Sequence, residues 1–70
     1  MEIYNTGDFG KAVRAARKQK GYTQAYISEV TGLSISFISD LERGKATTEL
    51  GKAIILANTL GLDLVLNERG

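Results

Sequence analysis

The sequence predicts an all-α fold, a bundle of four to five short helices followed by one C-terminal β-strand. Three observations predict it. Glycines divide the chain of 70 residues at intervals of 11 to 17 positions, at Gly21, Gly32, Gly44 and Gly61. Between these glycines, apolar residues recur at the i, i+3, i+4 spacing of amphipathic helices. After the last one the pattern changes to the alternation typical of a strand, from residue 62 to residue 67.

Each predicted helix begins after a polar residue and ends before a glycine. The expected N-caps, whose side chains can accept a hydrogen bond from the first helical turn, are Asp8, Thr23, Ser34 and Thr48. Only three residues, 32–34, separate the second helix from the third. The apolar positions of these helices predict a core of Phe9, Val13, Ile27, Leu33, Phe37, Ile38, Leu41, Ile54 and Leu60.

The C-terminal strand has no partner strand in the predicted fold. A lone strand leaves a row of backbone donors and acceptors unpaired, and pairing with its own copy in a second subunit would satisfy them. We therefore predict a homodimer joined through Leu62, Leu64, Val65 and Leu66. A frayed tail is the alternative. A chain of 7.6 kDa without cysteine or histidine also lacks the disulfides and most metal sites that stabilise small domains.

The composition argues against catalysis. Without cysteine or histidine there is no thiolate nucleophile, no imidazole base and no usual zinc site, so we expect a protein that is not an enzyme and uses no cofactor or metal. The longest apolar run, residues 53–57, is far shorter than the ~18 residues that span a bilayer. We expect no membrane association and a cytoplasmic, nucleoid-associated protein.

Two short helices joined by a three-residue turn with glycine form a helix-turn-helix, a motif that places its second helix in the DNA major groove. The expected base contacts lie on the solvent side of the third helix, at Ile35, Ser36, Ser39 and Asp40. The isoleucine can meet a thymine methyl group, and the aspartate can accept from a cytosine amino group. This face has no Arg, Lys, Asn or Gln, so we expect affinity to depend on phosphate contacts from nearby cations, including Lys18, Arg43 and Lys45.

The motif resembles the Cro/repressor (Xre) helix-turn-helix family from about residue 9 to residue 62. The resemblance is carried by residues 23–28, 32–34 and 38–45, which read TQAYIS, GLS and ISDLERGK. Within that family the chain is most similar to HipB-type antitoxins, through Ile3 and Tyr4, the spacing to Arg17, and residues 60–64.

The resemblance implies a lambda-repressor-like fold in a single DNA-binding domain, 1–70, with the helix-turn-helix at about 23–43 and a dimerisation strand at about 62–67. It further implies a homodimer that binds palindromic double-stranded operator DNA, represses its own toxin-antitoxin operon and holds a HipA-like kinase toxin. Gln24 matches a position that contacts a phosphate, and Arg17 and Glu42 match a partly buried salt bridge. From its place at the N-terminal end of the third helix, Ser34 is expected to be both the helix cap and a phosphate contact.

Plainer interpretations stay open at several of these positions. Gln24 can be an ordinary solvated side chain, Ser34 a helix cap alone, and Arg17 and Glu42 two independent surface charges. The whole chain can also be a protein-interaction adaptor that binds a toxin or another partner without specific DNA binding.

Overall fold

The computed structural model describes residues 2–69; residues 1 and 70, the ends of the predicted domain, lie outside this range. Four helices follow one another as α1 (Thr6–Gln19), α2 (Gln24–Thr31), α3 (Ile35–Glu42) and α4 (Leu50–Thr59). The predicted helical bundle of four to five helices is confirmed, and the described residues form four. α3 packs against α1 and α2, and α2 also contacts α4. In the described part of the chain, no helix is long and apolar enough to cross a membrane.

The two helices of the motif begin where the sequence predicts. Thr23 Oγ1 accepts a hydrogen bond from the backbone N–H of Tyr26 at 3.0 Å, and Ser34 Oγ accepts one from Phe37 at 3.0 Å. Each cap satisfies one of the N–H groups that a helix start leaves without an intrahelical partner. Between the two helices Gly32 adopts φ +77°, a left-handed conformation that disfavours a side chain, and this ends α2.

The predicted caps of the other two helices are wrong. α1 is capped by Asn5, whose Oδ1 accepts from the N–H of Asp8 at 2.8 Å. Asp8 lies in the first turn, where its Oδ2 accepts from the N–H of Tyr4 at 3.1 Å and its charge suits the positive end of the helix dipole. α4 begins after Glu49, which forms no side-chain cap, and Thr48, one position earlier, donates through Oγ1 to the carbonyl of Lys45.

The core follows the predicted list except at its edges. Six predicted residues are buried, namely Val13, Ile27, Leu33, Ile38, Leu41 and Leu60. Phe9 and Phe37 pack against this cluster but remain partly exposed. In α4 the buried stripe is Ala53, Leu56, Ala57 and Leu60, at the i, i+3, i+4, i+7 spacing. Ile54 lies beside that stripe and is only half-buried, so its assignment to the core is wrong.

The predicted strand over residues 62–67 is absent from the single chain. Residues 62–69 have no regular secondary structure, because a strand requires a hydrogen-bonded neighbour and no described residue provides one. Leu62 packs against the core, while the side chains of Leu64, Val65 and Leu66 are exposed to solvent. Leu64, Val65 and Leu66 therefore form an apolar segment on the surface.

Candidate nucleic-acid interface

The turn between α2 and α3 is held by side chains from α2. Ser28 Oγ donates to the carbonyl of Leu33 at 2.5 Å, and Thr31 Oγ1 accepts from the N–H of Leu33 at 3.1 Å while donating to the carbonyl of Ile27. The Leu33 side chain is buried in the core. With both backbone groups bonded and its side chain packed, Leu33 fixes the angle at which α3 leaves α2.

The N-terminal end of α3 is the exposed part of the motif. Ile38 and Leu41 face the core, whereas Ser34, Ile35 and Ser36 are exposed. Ser34 Oγ uses a lone pair as the helix cap, so its hydroxyl hydrogen remains able to donate to an anion. Ser36, Ser39 and Asp40 follow at the i, i+3, i+4 spacing of one helix face, but the last two are half-buried.

Arg17 and Glu42 join α1 to the C-terminal end of α3. Arg17 Nε lies 2.6 Å from Glu42 Oε2, and Nη2 donates to Oε1 at 2.9 Å, which makes the pair bidentate. Their side chains are only 10% and 3% exposed. Arg17 Nη1 also donates to the carbonyl of Tyr22 at 2.8 Å, which ties the loop before α2 to the same pair.

The protonation of this pair follows from its contacts. Burial by itself raises the pKa of Glu42, but the hydrogen bonds from Arg17 and Gln24, together with the positive charges of Arg17 and Arg14, outweigh it and hold that pKa below its ordinary value. The hydrogen bond to Glu42 raises the pKa of Arg17 in turn, so both groups are charged at neutral pH.

Gln24, the first residue of α2, is bonded to the same carboxylate. Its Nε2 donates to Glu42 Oε1 at 3.2 Å. An amide nitrogen carries two hydrogens, so one remains available to donate to a phosphate. Glu42 thereby sets the orientation of the Gln24 side chain at the start of the helix-turn-helix.

The structure brings three of the predicted DNA contacts into one cluster. Asp40 Oδ1 accepts from Arg43 Nη2 at 2.7 Å, and Asp40 Oδ2 lies 3.4 Å from Lys45 Nζ. The hydrogen bond from Arg43, followed by that from Lys45, holds the pKa of Asp40 below its ordinary value. Lys18 stands apart, exposed in the last turn of α1. The ion pair of Asp40 and Arg43 was not predicted, although their i, i+3 spacing is a sequence signal for such a pair.

α1 packs closely on the end of α3 because Gly10 and Gly44 have no side chains, a contact that was not predicted from the sequence. A Cβ on Gly10 would lie 2.7 Å from the carbonyl oxygen of Glu42 and closer still to that of Leu41. At Gly44, which has φ +84°, a Cβ would lie 2.8 Å from the Cα of Gly7. These contacts let Arg17 reach Glu42 from the neighbouring helix.

Comparison with known proteins agrees with this geometry. Residues 13–67 match the helix-turn-helix family. This chain belongs to the helix-turn-helix family of transcriptional regulators. It is 37% identical over 62 residues to the uncharacterised helix-turn-helix regulator y4mF of Sinorhizobium fredii, covering 89% of this chain and 82% of that protein. It is also 31% identical over 55 residues to the immunity repressor of Bacillus phage phi105, covering 79% of this chain and 38% of that one.

Solved structures of HipB share this helix-turn-helix fold. HipB in the O1–O2 complex superposes with a TM-score of 0.90 at 25% identity, covering 97% of this chain and 99% of the HipB chain. HipB with the O4 20mer gives a TM-score of 0.90 at 24% identity, covering 100% and 99% of the two chains. The complex of HipA, HipB, O2 and O3 contains a chain with the same TM-score, identity and coverage.

Proposed function

We propose that this protein is a sequence-specific DNA-binding transcriptional regulator that places the N-terminal end of α3 in the major groove. The main support for this proposal is that Ser34, Ile35 and Ser36 are exposed at the start of α3. The C-terminal end of the same helix is held to α1 and α2 by hydrogen bonds from Arg17 and Gln24 to Glu42. A fixed helix with small, exposed side chains at its start fits a groove that admits an α-helix.

The proposed contacts divide into two kinds. Base edges are read by Ile35, Ser36 and Ser39, with Asp40 as the fourth candidate. Phosphates are bound by Gln24 and Ser34, whose donors remain available, and by the cations Lys18, Arg43 and Lys45. Few of these groups can form a bidentate base contact, so each base pair contributes modestly to specificity and the phosphates supply most of the affinity.

We propose a homodimer as the DNA-binding form. Leu64, Val65 and Leu66 are exposed in the single chain, and residues 63–69 form no backbone hydrogen bond with any residue from 2 to 69. Pairing with the same segment of a second copy would bury the leucines and satisfy those backbone groups. Two copies would then present two α3 helices to one palindromic duplex.

The likeness to HipB supports a more specific role. HipB structures include complexes with operator DNA and with HipA. We propose that this protein is a HipB-like antitoxin, which represses its own operon and holds a HipA-like kinase toxin. The regulatory role depends on DNA binding alone, and the antitoxin role requires the second partner as well.

Selection of duplexes from a randomised pool tests the regulatory role. The proposal predicts enrichment of a palindrome whose half-sites lie about one helical turn apart. Ile35→Ala should weaken binding to that palindrome, whereas Ile55→Ala, the matched change of an equally exposed isoleucine on α4, should not. Sedimentation of both variants verifies that neither change alters the dimer. A pool with no enriched sequence contradicts the regulatory role.

Copurification with a tagged copy in the source cell tests the antitoxin role. We expect a kinase-like protein in the purified complex, and we expect the complex to bind the selected palindrome. A kinase-like partner together with no enriched duplex would instead support the adaptor interpretation. An enriched palindrome without a partner would leave a stand-alone repressor and contradict the antitoxin role.

A further inference from the structure

The C-terminal end of α3 carries an anion among the cations that should bind DNA. Asp40 lies between Arg43 and Lys45, and each oxygen of its carboxylate faces one of the two cations, at 2.7 and 3.4 Å. The three side chains therefore form one ion-paired cluster. Its net charge is +1, whereas the two cations alone would have a net charge of +2.

We propose that Asp40 is an internal counter-ion that competes with DNA phosphates for Arg43 and Lys45 and so lowers the affinity of the protein for duplexes of any sequence. The inference rests on the proposed function, because it assumes that α3 faces DNA. It assigns to Asp40 a role different from reading a cytosine.

The accessibility of the three groups supports competition with phosphate. The side chains of Arg43 and Lys45 are 72% and 56% exposed, while that of Asp40 is 29% exposed. The cations are therefore open to solvent on the side away from the carboxylate. A carboxylate and a phosphate are the same kind of acceptor for a guanidinium or an ammonium group, so the two compete directly. The carboxylate also repels a phosphate that approaches the cluster.

The neutralisation is local to this end of α3. Glu42, the next carboxylate along the chain, is already paired with the buried Arg17. Lys18, the remaining cation among the proposed phosphate contacts, forms no ion pair with any residue from 2 to 69. Removing the charge of Asp40 should therefore release two cations per subunit and leave the other contacts as they are.

Asp40→Asn tests the inference because it keeps the shape of the side chain and removes its charge. The matched control is Glu29→Gln, which removes one negative charge from an exposed residue of α2 that forms no ion pair within residues 2–69. Binding is measured by fluorescence anisotropy between 50 and 200 mM salt, with the selected palindrome and with a duplex of scrambled sequence, and thermal melts verify that each variant is folded.

We expect Asp40→Asn to bind both duplexes about tenfold more tightly than the wild type at the lowest salt concentration. The slope of log K against log salt should become steeper by roughly 1, since each additional phosphate contact adds about 0.9, and the gain in affinity should therefore shrink to about threefold at the highest salt concentration. The base preference should be unchanged. Glu29→Gln should change affinity by less than about twofold.

Three other results would contradict these expectations, and each has a different meaning. Weaker binding of Asp40→Asn to the palindrome alone, with a changed preference at one base pair, would mean that Asp40 reads a base. Equal effects of Asp40→Asn and Glu29→Gln would overturn the counter-ion role while the regulatory role stands. Failure of the wild type and every variant to bind any duplex would overturn the proposed function itself.

A double-mutant cycle gives a second measurement. Arg43→Gln and Lys45→Gln are each introduced into the wild type and into Asp40→Asn. If Asp40 competes with phosphate, each substitution costs more DNA affinity in the Asp40→Asn background than in the wild type. Equal costs in the two backgrounds would overturn the inference, whatever the absolute affinities.

Discussion

Arg17 on α1 and Glu42 at the end of α3 form a bidentate ion pair that is almost completely buried, with the shorter contact at 2.6 Å. The pair fixes the C-terminal end of α3 to α1, and through Gln24 and Tyr22 it also holds the start of α2. The orientation of the whole helix-turn-helix thus depends on one charged contact behind the surface that we propose to face DNA.

Removing either partner of this pair should destabilise the fold. Arg17→Ala and Glu42→Ala each leave a charge buried without its partner, and we expect each to lower the free energy of unfolding by ~3 kcal/mol or more. Arg43→Ala breaks an exposed ion pair and should cost about 1 kcal/mol or less. Urea denaturation measures all three. Similar small losses in all three variants would contradict the burial of the Arg17–Glu42 pair.

The same pair predicts loss of stability in acid. The pKa of Glu42 is below its ordinary value of 4.5 in the folded chain, so its contribution is complete above that pH and disappears as the pH falls through the lower, folded value. The free energy of unfolding should therefore fall below about pH 4.5, and the fall should be smaller in Glu42→Gln. Urea denaturation between pH 2.5 and pH 7 measures this difference. Parallel curves for the two proteins would assign the acid loss to other carboxylates.

The close approach of α1 to α3 predicts that Gly10 tolerates no side chain. Gly10→Ala places a Cβ against the carbonyl oxygens of Leu41 and Glu42, and we expect a loss of about 2 kcal/mol or more. Gly51→Ala is the matched control, because nothing lies within 4 Å of its added Cβ and alanine favours a helix. It should stabilise the protein by about 0.5 kcal/mol. Thermal melts that rank the two variants in the opposite order would contradict the packing described above.

Ser34 can be tested for its two roles separately. Ser34→Ala removes the cap of α3 and should cost about 1 kcal/mol of stability as well as DNA affinity. Ser34→Asp keeps a capping side chain, so stability should be retained, but its charge should repel a phosphate and weaken DNA binding. Melting temperatures and anisotropy titrations of both variants separate the effects. Unchanged DNA binding by Ser34→Asp would leave Ser34 as a helix cap alone.

Local patterns in the sequence were sufficient for the helices of the motif. The caps Thr23 and Ser34, and the glycines that follow each helix, act through hydrogen bonds and backbone conformations within a few residues. At α1 we predicted Asp8 as the cap, but Asn5, three residues earlier, caps the helix; both are favoured N-cap residue types, and propensity alone does not decide between them. Both residues form hydrogen bonds there, so the prediction failed only on the boundary.

Contacts between distant segments could not be predicted from the sequence. The half-burial of Ile54 and full burial of Leu56 depend on how α4 is rotated against α2, which periodicity does not fix where neighbouring positions are all apolar. The approach of Gly10 to the end of α3 is likewise a tertiary contact with no local signal. The predicted strand after Leu62 would require a partner strand, which no described residue of the single chain provides, and one sequence does not contain the geometry of two chains.

An NMR titration shows whether the N-terminal end of α3 enters DNA. Isotope-labelled protein is titrated with the selected palindrome while the amide resonances are followed. We expect saturable shift changes that are largest for Gln24 and for residues 34–36 and smallest for the buried turn of α4 at 56–57. Changes confined to α4 and residues 62–69, with the amides of α3 unaffected, would contradict this expectation.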